Sequence, residues 1–168
     1  MLINARNPTE LRVALTSDKT LEEYKVDVAE RGLTRGNIYY GIISNIQPSL
    51  NAAFIDYGAE RNGFLTIQDV IEDAYYTEPK DKGKRPRIED VLEQGQPIVV
   101  QVTREPEGTK GAALTTNLSL AGRYLVFTPF DSTRGVSRKV EDDESRRKLK
   151  ELTRDLQVPE GAGFIVRT

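Results

Sequence analysis

A short apolar run opens the chain and apolar and polar residues alternate after it, a period of two that predicts strands. Met1 to Ala5 reads as a short apolar strand, and Glu10–Leu15 and Leu21–Val28 alternate on either side of a polar turn at Ser17–Thr20. Strands joined by such a turn are expected to pair antiparallel. Gly32–Gly36 breaks the pattern and reads as a connection. Asn37–Gln47 is then strongly β-forming, with Gly41 suited to a bulge or a sharp bend. Pro48 and Ser49 turn the chain into Ala52–Asp56, and Gly63–Leu65 follows a glycine turn. Ile67–Ala74 has room for one or two helical turns, and Tyr76–Arg87 is a polar, Lys- and Pro-rich exposed excursion. Val91–Pro97 leads into the strand Ile98–Thr103, and a glycine turn at Glu107–Gly111 precedes Ala112–Leu118. About five short strands with conspicuous turns predict a closed small barrel of the OB type.

Beyond Ser119 the texture changes. Leu120–Pro129 reads as one apolar strand, Ser132–Ser137 as a loop and Glu141–Leu156 as a helix. Acids crowd the first turn of that helix and bases follow, as the helix dipole favours. Leu149, Leu152 and Leu156 form an apolar stripe, and Glu144 with Lys148 makes a surface pair at i,i+4. Phe164–Thr168 reads as a further strand. The predicted class is α+β: a five-stranded barrel inserted into a separate α/β sheet whose two parts flank it.

Charge and composition narrow the chemistry. Lys and Arg number 24 against 26 Asp and Glu, a net charge of −2. A chain holding nucleic acid by charge alone would be basic, so such a site here must rely on stacking and a few placed cations. Without Cys there are no disulfides or thiolate ligands, and without His the commonest general base is missing. No apolar run approaches membrane-spanning length and no signal peptide opens the chain, so a cytoplasmic protein is expected.

The richest chemistry lies in residues 51–65, where Phe54, Tyr57 and Phe64 surround Gly58, with Glu60, Arg61 and Asn62 between them. Rings exposed on a small barrel stack the bases of single-stranded nucleic acid. The three rings together point to a binding face rather than to core. The adjacent acids Asp142, Asp143 and Glu144 sit at a helix start and read as caps, not as a catalytic cluster.

These residues also carry a resemblance. Met1–Ala5, Asn37–Tyr39, Pro48–Leu50, Ala52–Phe54, Asp56–Arg61, Gly63–Leu65, Lys110–Thr116, Ser119–Gly122 and Gly163–Thr168 resemble the N-terminal part of the bacterial ribonuclease E and ribonuclease G family over essentially the whole chain. The resemblance implies an S1-type RNA-binding barrel over 35–119, inserted into an RNase H-like subdomain formed by 1–34 and an incomplete 120–168. It implies RNA contacts at Phe54, Phe64 and Lys110, on the face to which the ring pattern also assigns Tyr57, and at Arg138 and Lys139 as further contacts. It also implies a pocket for an RNA 5′-monophosphate, with Arg167 and Thr168 gripping the phosphate and Gly122 and Val126 supplying backbone groups. Tyr40 departs from the pattern, standing where some relatives place a cation.

The family's magnesium-binding aspartates, and its zinc-linking cysteines, match nothing in this sequence. The expectation is therefore an RNA-binding and 5′-sensing region of an endoribonuclease that carries no cofactor here and does not cleave by itself. Its parent is expected to be a magnesium-dependent homo-oligomer, with zinc a further possibility there. Two rival readings are a stand-alone RNA-binding module of a translation or ribosome-associated factor, and a scaffolding domain that docks proteins on the aromatic face.

Overall fold

The structure, a computed structural model, describes residues 1–7, 9–28, 34–79 and 86–167. Contacts divide the chain into two units, Met1–Leu33 and Thr34–Thr168. The first is a three-stranded antiparallel meander of β1 (Leu2–Asn7), β2 (Glu10–Ser17) and β3 (Thr20–Val28). Asp18 and Lys19 adopt positive φ at the β2–β3 turn, the conformation that two-residue hairpins with twisted strands require. No described residue of this unit is buried, and Leu2, Ile3, Leu21 and Tyr24 are exposed.

The second unit opens with the barrel. Its strands are β4 (Ile38–Gln47), β5 (Ala52–Asp56), β6 (Gly63–Thr66), β7 (Pro97–Arg104) and β8 (Ala113–Thr115), closed in the order β4-β5-β6-β8-β7. Only β6 and β8 run parallel, so the barrel is mixed and OB-like. Alternate residues point inward: Ile43, Ile55, Leu65, Val100, Val102 and Leu114 are buried. The bulge in β4 falls between Ile43 and Asn45 rather than at Gly41. Gly41 instead permits a close approach, because a Cβ there would stand 2.7 Å from Ile55 Cγ2.

Between β6 and β7 the expected helical turns are 3-10 turns at Ile67–Asp69 and Glu72–Ala74. A one-turn helix that the sequence did not signal, α1 (Ile88–Val91), buries Ile88 and Val91 fully. Asn51, in the left-handed region, accepts the Ile88 N–H on its side-chain oxygen at 2.7 Å. Most of the excursion's cations, at 80–85, lie outside the described residues.

The C-terminal part forms a second sheet. The expected single strand over Leu120–Pro129 is interrupted at Gly122–Tyr124, giving β9 (Leu120–Ala121) and β10 (Leu125–Thr128) as a hairpin. The expected loop at Ser132–Ser137 contains β11 (Arg134–Val136), which runs parallel to β12 (Gly163–Val166). Gly163 lets the Asp131–Thr133 backbone press against it, and the Phe164 N–H donates to the Thr133 carbonyl at 2.9 Å. Between them, α2 (Asp143–Thr153) is capped by Asp142, whose carboxylate accepts the Ser145 N–H at 2.7 Å. Leu149 packs against Val136, Val140, Phe164 and Val166, whereas Leu152 and Leu156 of the expected stripe are exposed.

Candidate RNA-binding face and sheet-end cation site

The β5–β6 hairpin sets Phe54 directly opposite Phe64. Each follows a buried neighbour and turns outward, so both rings are half-buried on the barrel's outer face. Their centroids lie 5.6 Å apart with planes inclined at 59°, within the range of a favourable tilted pair. Ser44, at the β4 bulge, donates to the Phe54 carbonyl at 3.0 Å and accepts from Asn62 Nδ2 at 2.8 Å, which pins the hairpin to β4.

Tyr57 does not join this face. Its ring is 7 % exposed and meets Tyr39 edge-on at 5.1 Å within the barrel core. Burial, with smaller contributions from Tyr39 and Glu105, pushes its phenol above the usual tyrosine value. The expectation of three rings on one exposed face is therefore corrected to two.

Lys110 is brought to the pair by the turn between β7 and β8. Glu107 and Lys110 exchange backbone hydrogen bonds at 3.1 and 2.9 Å, Gly108 takes φ +55°, and Arg61 donates to the Gly108 carbonyl. Gly111 sits where a Cβ would collide with the Asn62 carbonyl, so the lysine turn packs directly on the β5–β6 loop. Phe54, Phe64 and Lys110 line one open cavity of about 540 Å³, together with Arg104, Glu105, Glu107 and Ala113.

Arg104 is a site residue that sequence patterning did not reveal. Strict alternation from Val100 and Val102 would send it inward, but the register shifts between Val102 and Arg104 and turns it out. Glu105 is committed elsewhere, since its carboxylate accepts the Thr34 hydroxyl at 2.8 Å and the Thr34 N–H at 2.6 Å. Those bonds, with the Arg35 N–H, hold its pKa below the usual carboxylate range. The cavity thus offers two adjacent ring edges and two cations. Such a surface can stack bases and touch a phosphate backbone without a strongly basic field.

A second set of expected residues meets at one end of the other sheet. The β10–β12 register pairs Leu125 with Val166, and the Arg167 N–H continues it by donating to the Tyr124 carbonyl at 2.7 Å. The Arg167 guanidinium donates through Nη1 to the Gly122 carbonyl at 3.0 Å. Val126 pairs with both Ala121 and Ile165, one step inside the same hairpin. Gly122, Val126 and Arg167 are therefore close, but the Gly122 N–H is already donated to the Leu125 carbonyl at 2.8 Å. The backbone group expected there is thus occupied by the turn. Thr168 lies outside the described residues.

Arg138 and Lys139 follow β11 at this same sheet end, because Val136 pairs with Val166 and the Ser137 N–H donates to the Val166 carbonyl at 2.8 Å. Both side chains are exposed. Among the described residues no group of three or more His, Cys, Asp or Glu is arranged to hold a metal ion. None of their helices is long and apolar enough to cross a membrane.

Residues 33–117 match the S1 RNA binding domain, and residues 119–168 match the ribonuclease E/G family. Ribonuclease E of Escherichia coli K12 is 47 % identical over 169 residues, covering 100 % of this chain but 16 % of that protein. Ribonuclease E of Haemophilus influenzae is also 47 % identical, with 18 % of its length covered. Ribonuclease G of Escherichia coli K12 is 38 % identical over 172 residues, covering all of this chain and 34 % of that protein.

Proposed function

The chain belongs to the ribonuclease E/G family and carries its S1 RNA-binding domain, and from this premise we propose that it is the RNA-binding and 5′-monophosphate-sensing region of a single-strand-specific endoribonuclease acting in RNA processing and decay. The observation that carries the proposal is the cavity in which Phe54, Phe64 and Lys110 converge. The rings take bases at about 1–3 kcal/mol each, and Lys110 and Arg104 take the backbone between them. The weakness of the charge field is compatible with this mode, since stacking tolerates any base and needs no basic surface.

The phosphate contact rests on Arg167. Its bond to Gly122 uses one guanidinium nitrogen and leaves the remainder of the planar fork for a phosphate's oxygens. Thr168 would add a hydroxyl, and Arg138 and Lys139 would attract the same end of the strand. Cleavage, with magnesium as its metal, is on this reading the work of parts of the parent protein other than these residues.

On the same reading, residues 1–34 and 120–168 are two parts of an RNase H-like subdomain around the barrel at 35–119. A further layer would give the first unit, none of whose described residues is buried, the covered face that a sheet needs to be stable. The parent would be a cytoplasmic homo-oligomer. A stand-alone translation-type module would leave the family match at 119–168 and the Arg167–Gly122 arrangement unexplained.

Fluorescence anisotropy of a short single-stranded RNA, bearing a 5′-monophosphate or a 5′-hydroxyl, tests the proposal at fixed salt. Phe54→Ala should weaken both RNAs, and Arg167→Ala should abolish only the monophosphate preference. Unchanged binding of both RNAs by both variants would overturn it. RNA-insensitive capture of a protein on the aromatic face would instead support docking.

A further inference from the structure

The turn that gives its carbonyl to Arg167 also carries the most exposed ring of the C-terminal sheet. Tyr124 is 68 % exposed and is not among the residues of that sheet's hydrophobic cluster. The Arg123 guanidinium lies 5.1 Å from its centroid, a stacked arrangement that stiffens an exposed ring. The backbone bond from Arg167 to Tyr124 sets these two residues opposite each other across the β10–β12 pair. Opposite residues of an antiparallel pair share a face, with Cβ atoms about 4.5–5.5 Å apart. An aromatic face and a fork-shaped cation therefore stand side by side, bordered by Arg138 and Lys139 beyond the adjacent strand.

A phosphate and its own nucleobase are separated by one ribose, a span that matches neighbouring side chains on a strand pair. We propose that Tyr124, backed by Arg123, is a stacking platform for the base of the RNA's 5′-terminal nucleotide, so that this sheet end reads a nucleotide rather than a bare phosphate. The inference rests on the assignment of Arg167 to the 5′-phosphate. Because a π-face accepts any base, the platform is indifferent to base identity but requires a base. It also prefers an end that is free to leave a helix, as a duplexed terminal base is already stacked and paired.

The test measures affinities of two 5′-monophosphorylated RNAs that differ only in having a normal or an abasic first nucleotide. The wild-type chain should bind the base-bearing RNA about fivefold more tightly, the lower end of what base–aromatic stacking supplies. Tyr124→Ala should erase that difference and Tyr124→Phe should keep it, with thermal melting confirming that both variants fold. A base dependence absent from the wild type, or untouched by Tyr124→Ala, overturns the inference. The phosphate assignment is read from a separate pair, monophosphate against hydroxyl with Arg167→Ala. Failure there with the Tyr124-dependent base preference intact rejects the sensor but retains the platform, so the two outcomes are distinguishable.

Discussion

Replacing Tyr57 by Ala separates core from binding face more sharply than any other change. The ring is almost wholly buried and packs edge-on against Tyr39 at 5.1 Å. A Cβ built on Gly63 would stand 3.1 Å from Tyr57 Cε1, and one on Gly41 would stand 3.3 Å from its Cβ. Strand backbone thus flanks the ring at Gly63 and the side chain's base at Gly41, and it cannot swing in to fill the space the ring vacates. The cost should match that of other buried large aromatics, about 3–5 kcal/mol. With a urea m-value of about 1–3 kcal/mol/M, even the lower figure moves the midpoint down by about 1–3 M.

Phe54→Ala removes a half-buried ring and one tilted pair, about 0.5–1.5 kcal/mol beyond its area, and should melt far closer to wild type. Urea unfolding followed by circular dichroism, alongside RNA anisotropy on the folded fraction, reads both quantities. The expected pattern is opposite for the two variants: Tyr57→Ala loses stability and keeps affinity, Phe54→Ala the reverse. A Tyr57→Ala chain with an unchanged midpoint and tenfold weaker RNA binding would refute the core placement.

Further outcomes follow from the same geometry. Lys110→Ala should weaken single-stranded RNA regardless of sequence, and should reduce the slope of log affinity against log salt by about 0.7, the value for one phosphate contact on a single strand; an unchanged slope would remove Lys110 from the backbone path. Glu105 has its folded pKa depressed by its bonds to Thr34 and Arg35. Its stabilising effect is therefore full above the ordinary carboxylate range and lost as pH falls through the folded value. Thermal melts from neutral pH downward should show Glu105→Gln flattening the acid limb, and identical limbs would contradict the assignment. Gly111→Ala should displace the Lys110 turn from Asn62, lowering both stability and RNA affinity; a variant melting and binding like wild type would refute that close packing.

The barrel was legible because its strands alternate cleanly and its turns carry glycine. Even the error at Tyr57 had a readable signal: Tyr57 lies three positions after Phe54, an odd offset, so a strand sends them to opposite faces. Other features were not readable from pattern. Arg104 faces outward only because a register shift resets the alternation. Helix α1 is one turn long, too short for a helical period to appear, although it closes the core. The break at Gly122–Tyr124 and the three-residue β11 depend on partners far along the chain, above all β12. The bond from Arg167 to Gly122 is likewise a tertiary event; the resemblance put both residues in one pocket, and local sequence did not.

The central claim is that single-stranded RNA lies across Phe54, Phe64 and Lys110. Titrating isotope-labelled protein with a short 5′-hydroxyl RNA and following amide and aromatic resonances tests it residue by residue. The account predicts that Phe54, Phe64, Lys110 and Arg104 shift first and saturate together, while Tyr57 and Tyr39 stay near their free positions. Saturating shifts confined to other surfaces, with the two phenylalanines unmoved, would contradict it.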